Sequence, residues 1–143
     1  MKTVILALVC LLHVDLSVPL FDGCSLVTMS HFDGPDAQTN ITIPQNCTSG
    51  RIDWHYPQGK LHVQLSLPSL TYSLCLIEGW ATMVAEVREV TGGVNKVLNL
   101  PTAGHPACTK AVGGTTELLV QADPMLAYMT SFNYTVVTKS QTH

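Results

Sequence analysis

Proline and glycine interrupt this chain so often that a long helix has nowhere to form. Pro35, Pro44, Pro57, Pro68, Pro101, Pro106 and Pro124 fall along its length, with Gly92-Gly93 and Gly113-Gly114 among them. No unbroken stretch longer than about fifteen residues keeps a helical period, and the segments between breakers alternate as strands do. In Leu61-His-Val-Gln-Leu-Ser-Leu67, Leu61, Val63, Leu65 and Leu67 fall on one face and His62, Gln64 and Ser66 on the other. This is the pattern of a half-buried strand. Residues 130–138 repeat it, with Phe132, Tyr134 and Val136 inward and Asn133 outward. Residues 38–43 place Ile41 and Ile43 inward and Asn40 outward.

Further strands are expected at 24–29, 72–77, 82–90, 96–100 and 116–121. Segment 82–90 is the ambiguous one, because its Met, Ala, Glu and Arg content also suits a helix. A strand is preferred: Glu78-Gly79 reads as a hairpin turn leading in from 72–77, and Gly92-Gly93 turns the chain back. Gly113-Gly114 reads as another hairpin turn, and Asp33-Gly-Pro-Asp36 as a turn rather than an acid site. About eight short strands in one chain of this length predict an all-β fold, an antiparallel β-sandwich around a single core.

The N-terminus reads MKTVILALVCLLHV: Lys2, then an apolar run from Val4 to Leu12. That run is far short of the roughly twenty residues that a spanning helix needs, but it suffices for a secretory signal. The alternative, a buried N-terminal strand or helix, fits the flanks less well. The division expected is a signal peptide at 1–17, cut near Ser17, and one domain at 18–143, secreted and without a membrane anchor. Removing the leader also removes Cys10 and leaves Cys24, Cys47, Cys75 and Cys108, an even set that suits two disulfides in an exported chain. Three sequons agree with export: Asn40-Ile-Thr42, Asn46-Cys-Thr48 and Asn133-Tyr-Thr135. Charged residues are only 12% of the chain and the net charge is −3, with no basic patch, which argues against nucleic-acid binding. Glycans on these asparagines would cover surface that charge does not.

The segment Cys47-Thr-Ser-Gly-Arg-Ile-Asp-Trp-His-Tyr-Pro57, followed by Gly59-Lys-Leu-His-Val-Gln-Leu65, is distinctive. It resembles the N-terminal CUB-like domain of meteorin and meteorin-like secreted factors. There a Cys precedes a Gly, a short run ending in Trp, Tyr-Pro, a Gly turn and an alternating strand. The resemblance extends more loosely through Cys75-Leu76, the strand around 84–87, Cys108 and the aromatic strand at 130–137, covering residues 24–138. It implies a CUB-like jelly roll with disulfides Cys24–Cys47 and Cys75–Cys108; cysteine spacing alone leaves three pairings open. Meteorins carry a second, cysteine-rich domain, and nothing residing there is implied for this chain.

Trp54, His55 and Tyr56 form the candidate binding spot, since exposed Trp and Tyr dominate recognition hot spots. The competing reading packs Trp54 and Tyr56 inward, because strand alternation cannot turn the whole run outward. Calcium, which many CUB domains hold through Glu and Asp, would have Asp53, Glu78 and Asp123 as oxygen donors here, but they do not align with that family motif. His31, His55, His62, His105 and His143 lack paired zinc spacing. No metal and no cofactor are therefore expected. No nucleophile elbow or phosphate loop occurs, and bridged cysteines offer no thiolate, so the chain is not read as an enzyme. The function expected is that of an extracellular binding module engaging an extracellular or cell-surface protein, as a cytokine- or growth-factor-like ligand. The alternative is an interaction protein of reproduction (seminal or egg-coat), venom or defence, which the tissue of expression would distinguish.

Overall fold

The alternating segments become strands in a computed structural model that describes residues 23–30, 34–77, 84–125 and 127–139. The expected signal peptide lies outside the described residues. In chain order the strands are β1 (Leu26–Met29), β2 (Gln38–Thr42), β3 (Ser49–His55), β4 (Lys60–Ile77), β5 (Val84–Glu89), β6 (Lys96–Leu98), β7 (Ala107–Cys108), β8 (Val112–Ala122) and β9 (Met129–Thr138). Among the described residues the one helical element is a 3-10 turn at Thr91–Gly93, which returns β5 to β6 where the paired glycines were expected to turn the chain. The fold is all-β, and the ambiguous segment is a strand where it is described.

β4 organises the molecule. Its first half pairs with β8 from Lys60↔Gln121 to Leu67↔Gly114, and with β2 on its other edge. Its second half pairs with β9 from Tyr72↔Thr138 to Ile77↔Asn133, and with β7 at Cys75↔Cys108. Between the halves the register to β8 shifts, from Leu67 to Thr71. Pro68 sits in that interval. A proline cannot donate to the ladder and is tolerated at such an irregularity. Two strands expected at 61–67 and 72–77 are thus one, with its register to β8 shifted about the proline. Gly113 and Gly114, read from sequence as a hairpin turn, lie inside β8 opposite the shift. Gly114 has φ +89°, a conformation that favours glycine, at the point where the register shifts.

The remaining strands attach to one half or the other. β5 and β6 extend the β8 side, while β3 and then β1 extend the β9 side. β5 pairs with β8 and β6, so 72–77 and β5 do not form the expected hairpin; Glu78-Gly79 lies outside the described residues. Most pairings are antiparallel, but β1–β3 and β2–β4 are parallel, so the sheet is mixed. A strand that leaves one set of partners for another at a bulge is how two packed layers share a chain, so the arrangement is compatible with a sandwich.

One apolar cluster draws side chains from strands of both sets. Leu61, Val63, Leu65, Leu118, Val120 and Val87 enter it from the β8 side. Ile52, Trp54, Leu74, Leu76, Phe132 and Tyr134 enter from the β9 side. All the inward positions assigned from alternation in 61–67 and 130–136 face this core, and Ile41 packs against it from β2. Cys24–Cys47 ties the start of the domain to the loop before β3, and Cys75–Cys108 joins β4 to β7; both pairings are those the resemblance implies.

Candidate binding surface on the outer face of β1, β3 and β9

β3 carries the segment singled out from sequence, and strand parity divides it. Ile52 and Trp54 point into the core, while Arg51, Asp53 and His55 point out. The Trp54 indole N–H donates to Ser30 Oγ at 2.7 Å. The same hydroxyl accepts from the Gln58 amide and donates to the Gln58 carbonyl, so the chain on both sides of the Tyr-Pro corner is fixed to one serine. Trp54 has no solvent exposure and is removed from the candidate binding set: it is a core anchor. Tyr56 does not pack fully inward. It follows the strand with φ +47°, is 39% exposed, and sets its ring edge-on to Tyr128 at a centroid distance of 6.1 Å. Its amide donates to the Tyr128 carbonyl at 2.8 Å.

Register assembles the outer face in rows. β3 lies between β1 and β9, so Val27, Asp53 and Ser131 form one row and Met29, His55 and Met129 the next. In the first row Ser131 Oγ donates to Asp53 Oδ1 at 2.5 Å. Arg51 Nε donates to the same carboxylate oxygen at 2.6 Å, and Arg51 Nη2 to Ser131 at 3.0 Å. Burial works against ionisation of Asp53, but the hydrogen bonds from Ser131 and Arg51 and the charges of Arg51 and His55 outweigh it and hold the carboxyl below its ordinary 3.8. The serine hydroxyl thus donates to the carboxylate and accepts from the guanidinium. The cluster clasps β3 to β9.

The polar face of β4 carries a second cluster. Gln64 Nε2 donates to Glu117 Oε1 at 2.8 Å, His62 Nε2 lies 3.7 Å from the same atom, and His62 Nδ1 lies 3.3 Å from Asn40 Oδ1. The oxygen donors considered for calcium are engaged elsewhere: Asp53 in the clasp, and Asp123 accepting from the Met125 amide at 2.9 Å. Glu78, His31 and His143 lie outside the described residues. Among the described residues no three His, Cys, Asp or Glu side chains come together at metal-binding distance, and no helix is long and apolar enough to cross a membrane. An open groove of about 500 Å³ lies between the loops near one end of the sheet, with Pro35, Pro57, Gln58, Gln121, Asp123 and Met125 on its walls.

Asn40, Asn46 and Asn133 are all exposed. Asn40 and Asn133 stand on the outward parity assigned to them from sequence. The residues of this face that sequence reasoning passed over are Met29, Tyr128, Met129 and Arg51, with Ser131 buried beneath them. Their signal was present only as parity: Met29 falls on the outward alternation of 24–29, and Met129 immediately precedes an alternating strand. Which strands lie side by side was not legible. No protein-family model matches the chain, and no curated protein matches it significantly.

Proposed function

We propose that the chain is a secreted, disulfide-bonded glycoprotein of CUB-like type that acts as an extracellular binding module, a cytokine- or growth-factor-like ligand for a cell-surface receptor. The observation that carries this reading is the division of its exterior. All three sequon asparagines face solvent, Asn40 and Asn133 on strands and Asn46 in the turn before β3, in a fold linked by two disulfides, which suits an exported and glycosylated chain. The sugar on Asn133 would sit four residues along β9 from Met129, roughly 14 Å at the rise of an extended strand. That leaves the end bearing His55, Tyr56 and Tyr128 clear. Tyr128 is 83% exposed and braced by Tyr56, which gives a rigid amphipathic anchor of the kind that concentrates binding energy.

The test is binding of the purified, labelled protein to cells of the source organism. Saturable surface binding that unlabelled protein displaces is expected. It should fall by about tenfold or more in Tyr128→Ala, the loss typical of a hot-spot truncation. Absence of saturable binding on all cell types tried removes the ligand reading. Full binding by Tyr128→Ala removes this surface.

A further inference from the structure

We infer that Met29, His55 and Met129 form a binding site for a single copper(I) ion on the outer face of the sheet. The three residues are consecutive across three adjacent strands: Met29 of β1 is in register with His55 of β3, and His55 is in register with Met129 of β9. In-register neighbours on a sheet share a face, and the burial pattern fixes which one: Thr28, Trp54 and Thr130 in the preceding row turn inward, so this row turns outward. Both methionines are open to solvent, at 52% and 42% exposure. Among the described residues no group hydrogen-bonds the His55 ring; its electrostatic neighbour is Asp53, one row away on the same face.

Strand spacing brings the donors within reach. Adjacent strands lie about 4.8 Å apart, so a thioether rises from the backbone on either side of the imidazole at that distance. Methionine is unbranched and turns about three bonds, so each sulfur can lean over the ring without moving the backbone. The backbone beneath is held on both sides of the row. The Ser30 amide, next after Met29, donates to the His55 carbonyl at 3.1 Å, and the Tyr56 amide donates to the carbonyl of Tyr128, next before Met129. The donor set selects the metal. Two soft, neutral thioethers with one borderline imidazole make a low-coordinate array that suits copper(I); calcium and magnesium require oxygen, and a structural zinc site takes four thiolate, imidazole or carboxylate ligands. The site has no sequence signature because its ligands are twenty-six and seventy-four residues apart (29 to 55, 55 to 129) and meet only through strand register. It does not depend on a receptor, so its test needs no cell.

The secreted protein, with the expected signal peptide and its Cys10 removed, is titrated anaerobically with copper(I) in competition with bicinchoninate, and the complex is examined by X-ray absorption. One copper(I) per chain with sulfur and nitrogen neighbours is expected. Met29→Leu and Met129→Leu, volume-conserving changes at exposed positions, should each weaken binding by about tenfold or more, while the exposed Met125→Leu leaves it unchanged. The inference is overturned if bicinchoninate strips all the copper, or if the Met29→Leu/Met129→Leu double variant holds it as well as the parent. Should either variant misfold by near-ultraviolet circular dichroism, the methionine methyl resonances of the unaltered chain decide: those of Met29 and Met129 must move on adding copper(I), and if they stay in place the site does not exist.

Discussion

Gly50 shows how a single hydrogen atom in place of a side chain holds the disulfide end together. A Cβ there would stand 2.0 Å from the Cys24 carbonyl oxygen and 2.7 Å from the Tyr134 hydroxyl, which themselves share a hydrogen bond of 2.8 Å. The nearest obstacle is backbone tied to a disulfide, so it cannot step aside. Gly50→Ala is expected to lower stability by about 3 kcal/mol, at the upper end for overpacking, read as a lower urea midpoint. An unchanged midpoint would show that the close approach is not rigid. Asp53 provides a pH-dependent counterpart. Its folded value lies below the 3.8 of the unfolded chain, so the clasp stabilises fully above that pH and its contribution fades as pH falls through the depressed folded value. Ser131→Ala removes a hydrogen bond to the ionised form. It should raise the Asp53 titration seen by carboxyl NMR and move acid unfolding to higher pH. A titration that stays put would mean that Arg51 alone sets it.

Among the elements, β7 depends most on a covalent link. It contributes two residues, pairs with β4 only at Cys75↔Cys108 and Leu76↔Ala107, and continues into Thr109, whose amide and hydroxyl both bond Leu74. Replacing Cys75 and Cys108 together by alanine opens a loop of sequence separation 33, for which chain entropy predicts a loss of about 3–4 kcal/mol. Amide exchange should accelerate at Leu74 and Thr109 well before Val63 or Val120; uniform acceleration would show that the link supports the whole sheet rather than β7. The individual strands were readable because alternation is a local property: Leu61 to Leu67 and Phe132 to Val136 announce their faces within a few residues. Partner choice is not local. The passage of β4 through Pro68, the parallel pairings of β1 and β2, and the placement of Gly113-Gly114 inside β8 all depend on strands brought from elsewhere in the chain. The same distinction separates the parts of the surface. Asn40 and Asn133 could be placed from parity alone, Trp54 was assigned to either the core or the surface, and the row of Met29, His55 and Met129 exists only once β3 lies between β1 and β9.

For the molecule as a whole, so low a charge leaves open what would cover its apolar surface. Charged residues are 12% of the chain, and Val27, Leu70, Val94, Val97 and Val137 are each about half exposed or more. Glycans attached to outward strand positions would shield this apolar surface, and a glycan cannot be buried, which is why the asparagine parity matters. The two later sequons also meet in the fold: Thr135 donates to the Thr48 carbonyl at 3.4 Å, and the Val136 amide to the same oxygen at 2.7 Å. Asn46 is further constrained by Cys47 beside it, which is buried in the link to Cys24. Asn40 and Asn133 are accordingly expected to be fully glycosylated and Asn46 only in part, because disulfide formation competes for that stretch during folding. Expression of Asn40→Gln with Asn133→Gln should remove the mass of two glycans, lower solubility and promote aggregation, as exposed apolar patches do. The melting temperature should change little by comparison, because both side chains already point away from the core. Loss of mass without loss of solubility would show that the sugars are present but not what keeps the chain dispersed. No loss of mass would remove glycosylation at Asn40 and Asn133, and with it the shielding of the apolar surface by sugars at these two strand positions.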